Sequence, residues 1–259
     1  MASNVLSKNE IESLARRLDD AQVGVHDTPS LADDIELGID DAYRIQEALV
    51  ARRLNRGEAL AGVKLGFTSK AKMAQMGVSD VIVGRLTDAM CIDDGGHVDL
   101  HRFIHPKIEP EVAYRLGRDV DLDNPETDIV ACVGAVAPAM EIIDSRYRDF
   151  RFTYPDVVAD NTSAAAYVVG PWHEVRDVAD LAVQMTVGEN TVTGSTAAIL
   201  DDPVNALHAL LDMCRRRRIP LRAGDVVLAG AATAAAPLTA TTAHCEISGL
   251  GAVTVKGIV

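Results

Sequence analysis

The sequence predicts an α+β protein, with a helical N-terminal part over residues 1–60 and a β-rich body over 61–259. Three observations carry this reading. Helices are expected in the first 60 residues, then only as a short one over 69–76 and one over 203–218. Beyond about residue 90 most apolar segments are short and bounded by Gly, Pro, Asn or Asp. No stretch alternates strand with helix, as a doubly wound sheet would require. The 259 residues are enough to bury a substantial core without disulfides or a metal clip.

The first helix is expected over residues 7–20, where Ser7 and Glu10 have capping-box spacing and Ile11, Leu14 and Leu18 share one face. A second is expected from Asp40 to Arg56, with Ile45 and Leu49 buried and Gly57 as its stop. Pro29, Ser30 and Gly38 mark the connector. The segment AGVKLGF alternates, placing Val63, Leu65 and Phe67 on one strand face and Lys64 on the other, with room beside it from Gly62 and Gly66. Ser69 caps an expected short helix over 69–76 that stops at Gly77, and VIVG at 81–84 reads as a buried strand. Further strands are expected at 108–116, 135–143, 164–170, 181–188, 191–199, 225–230, 243–248 and 252–257. The late helix has Asp202 and Pro203 as cap and first residue, a face of Val204, Leu207, Leu211 and Cys214, and Arg215 to Arg218 at the end that favours cations.

Asp and Glu number 38 against 25 Lys and Arg, a net charge of −13, so the protein's field repels nucleic acid and anionic membrane. No apolar run approaches the roughly 20 residues needed to span a bilayer, and MASNVLSKNEIESLARR lacks a signal-peptide pattern. A cytoplasmic protein is expected. Cys91, Cys132, Cys214 and Cys245 lie far apart without a C-x-x-C pair and are read as reduced, small core residues. The common phosphate-loop, dinucleotide and serine-hydrolase motifs are absent.

Chemistry is therefore sought in the acids. In IHPKIEPEVAY, Glu109 and Glu111 are two apart on a strand and project from one face. Their mutual repulsion would raise both pKa values unless a hard divalent cation removed it. Pro110 between them supplies no ladder donor, which places this stretch at an edge, a rim or a bulge. Glu141 ends the apolar run VGAVAPAM, where an unpaired carboxylate is costly. An oxygen-only ligand set favours Mg²⁺. By spacing alone, a solvated strand face with an unrelated Glu141 fits equally.

GVKLGFTSKAKMAQMGV, RFIHPKIEPEVAY, PAMEIIDSRYRDFRF and DVVADNTSAAAYVVG, taken in order along nearly the whole chain, resemble the fumarylacetoacetate hydrolase superfamily, within it the group of 2-oxo acid hydratases and decarboxylases. The resemblance implies a fumarylacetoacetate hydrolase-like mixed β-roll and one Mg²⁺, or Mn²⁺, held by Glu109, Glu111 and Glu141. It also implies a catalytic lysine at Lys64. A 2-oxo acid can chelate such an ion through its carboxylate and keto oxygen. Three carboxylates and Mg²⁺ leave an excess negative charge, so a dianionic substrate needs a cation such as Lys64.

The implied reaction is decarboxylation of 2-oxohex-3-enedioate, a small-molecule 2-oxo dicarboxylate of catechol meta-cleavage catabolism, or hydration of 2-oxopent-4-enoate. In the hydratases the loop after GV resembles x-x-P-D-x with a proton-handling aspartate. Here Ser79, Asp80, Val81, Ile82 and Val83 stand there, so that position carries Ile82. An apolar side chain cannot activate water but can desolvate a departing carboxylate, which favours decarboxylation. Asp80 could take the role if the loop shifted by two residues.

Ser163, Thr233 and the backbone at Leu86 align with substrate contacts of the family, and Lys72 is a candidate for steering the distal carboxylate. His101 and His105 are four apart, but Phe103, Ile104 and Pro106 argue for extended chain, and no metal role is expected of them. Asp144 and Arg146 form a candidate structural pair. The resemblance also implies a homo-oligomer and a possible complex with a 2-oxopent-4-enoate hydratase. A reading from another class, an inactive binding subunit of such a complex, stays open.

Overall fold

The fold was described from a computed structural model, which describes residues 5–69, 73–74, 77 and 80–259. It opens with α1 (Lys8–Val23) and α2 (Ile39–Asn55). The capping box forms as expected: Glu10 N donates to Ser7 Oγ at 3.4 Å while Ser7 N donates to Glu10 Oε2 at 2.8 Å. Asp19, buried on α1, takes Arg52 Nε and Arg56 Nη1 of the α2 end at 2.7 Å each, which fixes the two helices side by side.

The body contains strands β1 (Leu60–Gly66), β2 (Ile82–Thr87), β3 (Cys91–Ile92), β4 (His97–Asp99), β5 (Lys107–Leu116), β6 (Val133–Ile143), β7 (Ala164–Val169), β8 (Ala182–Val187), β9 (Asn190–Ser195), β10 (Val226–Ala231), β11 (Ala236–Pro237), β12 (Thr242–Ile247) and β13 (Gly251–Ile258). Helix α3 (Tyr154–Ala159) precedes β7, and α4 (Pro203–Arg217) precedes β10. The large sheet runs β2-β1-β10-β5-β6-β7-β3 with β11 added beside β5, and the small sheet runs β4-β13-β12-β8-β9. Most pairings are antiparallel, and β1 lies parallel to β10.

Alternation along β5 and β6 divides the large sheet. Val112, Met140 and Ile142 belong to the main hydrophobic cluster, together with Met185, Cys245 and Val253 of the small sheet. Glu109, Glu111 and Glu141 alternate with them and face the other way. Beneath the acids on that face lies a second cluster with Ala113, Ala139, Leu228, Leu86 and Tyr167.

Several expectations are corrected. Of the edge, rim or bulge expected at Pro110, the edge is overturned because β5 is interior, while a bulge-like register shift is present. Pro110 is accommodated because the β10–β5 register shifts between Leu228 and Ala231, and Ala232 N, past the end of β10, donates to Pro110 O at 2.8 Å. The missing proline donor thus faces an irregularity in the ladder. Phe67 does not continue β1; it has φ of 58° and stacks on Tyr154 with centroids 5.8 Å apart. The strand expected over 191–199 stops at Ser195 in a 3-10 turn. Cys91 is exposed, whereas Cys132, Cys214 and Cys245 are buried, and all four are free. The helix expected over 69–76 falls mostly outside the described residues. Among the described residues no helix is long and apolar enough to cross a membrane.

Helix α3, too short to read from periodicity, joins the two parts. Its Thr153 and Asp156 form a second capping box, and the buried Asp156 carboxylate also accepts from Leu31 N at 3.0 Å and Ser30 Oγ at 2.6 Å. Gln46 of α2 donates to Val83 O at 3.0 Å and Val158 O at 2.9 Å. The buried backbone groups Leu31 N, Val83 O and Val158 O are satisfied in this way without water. Asp156→Ala would orphan several donors together, and it is expected to lower stability by about 2–4 kcal/mol, read from urea unfolding.

Candidate metal centre and active site

Register assembles the acidic group. Glu109 is the direct cross-strand partner of Glu141, and Glu111 follows two residues along β5. Each offers an oxygen, and these atoms lie within 4.8 Å of one another, with all three residues buried. Glu111 Oε2 accepts from Gly230 N at 2.7 Å. Glu111 Oε1 and Glu141 Oε1 are buried and accept no hydrogen bond among the described residues. Buried carboxylate oxygens without donors, converging on one point, fit a hard divalent cation.

Lys64 of β1 joins them. Its Nζ lies 2.9 Å from Glu141 Oε2 and donates to Thr162 O at 3.1 Å, with the residue only 3% exposed. Burial works to lower its pKa, but the charges of Glu141, Glu109 and Glu111 outweigh it, and the net direction is upward. Lys64 is therefore a held ammonium. Glu111 is pushed well above the usual carboxylate range by burial first and then by Glu141 and Glu109. Glu141 rises to about 7 for the same leading reason, with Lys64 opposing.

The room for Lys64 comes from a glycine not singled out by its spacing. Gly84 faces Lys64 across the β1–β2 pair, and a Cβ there would meet Thr162 Oγ1 at 2.1 Å and Asn161 O at 2.7 Å. Gly62 and Gly66 serve otherwise: a Cβ on Gly62 would run into Val226 O at 1.9 Å, and one on Gly66 into the Ile82 side chain at 2.8 Å. Asn161, Thr162 and Ser163 take φ of 51°, 55° and 59°, left-handed backbone that costs energy and must be held by its surroundings. Asn161 holds it, accepting from Arg85 N at 2.7 Å and donating to Arg85 O at 2.9 Å. This aims the Thr162 carbonyl at Lys64.

Glu109 of the trio opens onto a cavity of about 930 Å³ whose lining also includes Lys64, Ile82, Ser163, Lys107 and Phe150, while Glu111 and Glu141 are not among the lining residues. Of the residues expected from sequence, Lys64, Ile82, Glu109 and Ser163 line it directly. Ser163 is buried, with its Oγ 3.5 Å from Asp160 Oδ2. Leu86 does not line it; it lies in the apolar cluster beneath the acids. Thr233 is also outside the lining, its hydroxyl turned to Ala234 O at 3.0 Å, although Ala234 and Ala235 of that turn do reach it. Lys72 lies outside the described residues.

Asp144 and Arg146 do not pair through their side chains. Asp144 accepts from Ile104 N and His105 N at 2.9 and 2.8 Å, and Arg146 is buried against Asp160. His101 Nδ1 lies 3.1 Å from Asp99 and His105 Nε2 2.7 Å from Ser145 O. Three of the late arginines form surface ion pairs: Arg216 with Asp80 at 2.6 Å, Arg217 with Asp40 at 2.5 Å and Arg218 with Asp123 at 2.7 Å. Sequence reasoning assigned no role to Gly84, Gly230, Thr162 or the segment 148–153, although Thr162 and residues 148–152 lie within the motifs that carry the family resemblance.

Two packed sheets carrying a buried acidic trio beside a lysine define a metal-site enzyme architecture. The sequence model described as fumarylacetoacetate (FAA) hydrolase C-terminal matches residues 54–256, and the chain belongs to the fumarylacetoacetate hydrolase family. It is 46% identical over 245 residues to a 4-oxalocrotonate decarboxylase of Pseudomonas sp, covering 93% of this chain and 96% of that one. It is 38% identical over 252 residues to a 2-keto-4-pentenoate hydratase of Burkholderia vietnamiensis, covering 95% and 96%. The solved 4-oxalocrotonate decarboxylase from Pseudomonas putida G7, complexed with magnesium and adipate, superposes with a TM-score of 0.91 at 34% identity, covering 98% of this chain and 99% of that one.

An acid whose folded pKa is raised favours the folded state only while protonated, so its ionisation destabilises the metal-free protein. Metal-free stability is expected to fall as pH rises through the window ending near the Glu141 value of about 7. Glu111→Gln should raise stability at pH 7.5 in the presence of a chelator by about 1 kcal/mol or more, read from thermal unfolding.

Proposed function

We propose that this chain is a divalent-metal-dependent decarboxylase that converts 2-oxohex-3-enedioate to 2-hydroxypenta-2,4-dienoate and CO₂. Magnesium is the assigned ion, with manganese the alternative, held by Glu109, Glu111 and Glu141. When bound, the ion supplies a Lewis acid for a chelating 2-oxo acid. In the reaction the C5–C6 bond breaks, CO₂ departs, and its bonding electrons pass through the C3–C4 alkene to the oxygen at C2.

The chain's residues supply the rest. Lys64 Nζ, held between Glu141 and Thr162 O, presents a positive charge and a proton to that oxygen as charge develops there. Ile82, Phe150 and Phe152 on the cavity wall exclude water from the departing carboxylate. The Ser163 hydroxyl is assigned to the bound substrate.

One observation separates this reading from hydration. Asp80, the acid nearest the position where a hydratase handles protons, is directed to Arg216 at 2.6 Å and is absent from the cavity lining, while Ile82 lines it. Water addition needs a base at that place. The identity to decarboxylases supports the same choice. We place the reaction in the cytoplasm, in meta-cleavage catabolism of aromatic compounds. We further assign a homo-oligomer there, alongside a hydratase that consumes its dienol product.

Purified protein with Mg²⁺ and 2-oxohex-3-enedioate is expected to release CO₂ stoichiometrically with substrate loss. Hydration of 2-hydroxypenta-2,4-dienoate without CO₂ release would select the hydratase, and no turnover of either would select a binding subunit. Lys64→Met should reduce kcat roughly 100- to 1000-fold, the scale for losing one preorganised donor. Glu109→Gln should weaken Mn²⁺ binding beyond the roughly 10- to 100-fold cost of losing an outer partner, read by paramagnetic resonance of free Mn²⁺.

A further inference from the structure

The dicarboxylate has a second charged end, and the strand that carries two of the acids also carries a cation for it. Lys107 precedes Glu109 by two residues on β5, so both side chains leave the same face. Across the ladder Lys107 is paired with Ile143, as Glu109 is with Glu141. The anionic pair and the cation–apolar pair are thus neighbours on one face, about 6.8 Å apart along the strand. The five carbon–carbon bonds of the substrate, roughly 1.5 Å each, span about 6 Å from C1 to C6 when extended. A substrate chelated at its C1–C2 end therefore reaches Lys107 with its C6 carboxylate.

Lys107 is set for this contact. Its Nζ lies 4.0 Å above the Phe150 ring centroid, and the same ring packs against His105 at 4.6 Å. Asp149 and Phe150 both have φ of 55°, an unfavourable backbone for residues with side chains, at the point that delivers this ring to the cavity. The other cations on the wall are differently disposed: Lys64 is paired with Glu141, Arg148 with Asp27 at 3.0 Å, and Arg151 is exposed. Among the described residues no acid pairs with the half-buried Lys107.

We infer that Lys107, positioned by Phe150, binds the C6 carboxylate and so selects six-carbon dicarboxylates over monocarboxylates. This rests on the proposed decarboxylation. CO₂ is neutral, so the ion pair weakens as the C5–C6 bond breaks. Lys107 therefore acts on substrate binding rather than on the bond-breaking step, and its loss falls on KM more than on kcat.

The test uses full-length metal-loaded protein, Lys107→Met and Lys107→Arg. Lys107→Met is expected to raise KM for 2-oxohex-3-enedioate about 10- to 100-fold with kcat not lowered, and raised to the extent that the ion pair is lost in the transition state. It should weaken adipate binding by a similar factor and leave inhibition by 2-oxopentanoate, which lacks the second carboxylate, unaltered. Lys107→Arg should restore most of the loss. Unchanged KM and adipate affinity in Lys107→Met would overturn the inference, as would equal weakening of 2-oxopentanoate. If the wild type releases no CO₂, the decarboxylase reading fails, and the adipate and 2-oxopentanoate affinities still decide the role of Lys107.

Discussion

Three buried carboxylates are held within ion-coordinating distance of one another, and much of the molecule is arranged around that electrostatic problem. In isolation the arrangement opposes folding, since burial and mutual repulsion both disfavour the ionised forms. The protein offsets part of it with one buried ammonium, Lys64, and one backbone donor, Gly230 N. Among the described residues Glu111 Oε1 and Glu141 Oε1 accept no hydrogen bond. A site that is costly without its ion has its chemistry fixed by the ion's preference for oxygen ligands.

The compensating groups are themselves held at a distance. Lys64 is aimed by the Thr162 carbonyl, Thr162 by a left-handed segment, and that segment by Asn161 gripping both backbone groups of Arg85. Strand β2, which carries Arg85 and Gly84, is tied in turn to α2 through Gln46. The N-terminal helices thus take part in fixing a site to which they contribute no charged ligand. Their buried polar contacts, including Asp156, lock the segments bordering the cavity into one geometry.

What could be read from the chain depended on whether the signal was local. The capping box of α1, the proline cap of α4 and the shared face of Glu109 and Glu111 are set by residues within one turn or one strand, and each appears as expected. The partnership of Glu141 with Glu109 required cross-strand register, which no spacing encodes; the family resemblance supplied it. The place of Pro110 in an interior strand depends on a shift in β10, over 100 residues away. Gly84 was invisible because its role is to leave space for a loop that arrives from residue 162. Thr233 and the backbone at Leu86 were expected at the substrate from alignment with a family; neither residue is among those lining the cavity, Thr233 turning its hydroxyl to Ala234 O and the Leu86 side chain packing in the apolar cluster beneath the acids.

The choice between adding water and expelling CO₂ follows from the same geometry. Both reactions begin with a 2-oxo acid whose C2 oxygen accepts electrons, so the trio and Lys64 serve either equally. They diverge at the far end of the substrate, where hydration needs a base to take a proton from water and decarboxylation needs a carboxylate made less comfortable than its neutral product. This cavity wall carries Ile82, Ile143, Phe150 and Phe152, with the exposed Asp33 and Asp149 also on it, while Asp80, the aspartate nearest Ile82 in sequence, is engaged by Arg216. A cation at Lys107 adds recognition without a base, because an ammonium attracts the carboxylate of the substrate and has no affinity for CO₂. Binding strength at that end must remain moderate, since any stabilisation of the bound carboxylate that vanishes on cleavage adds to the barrier.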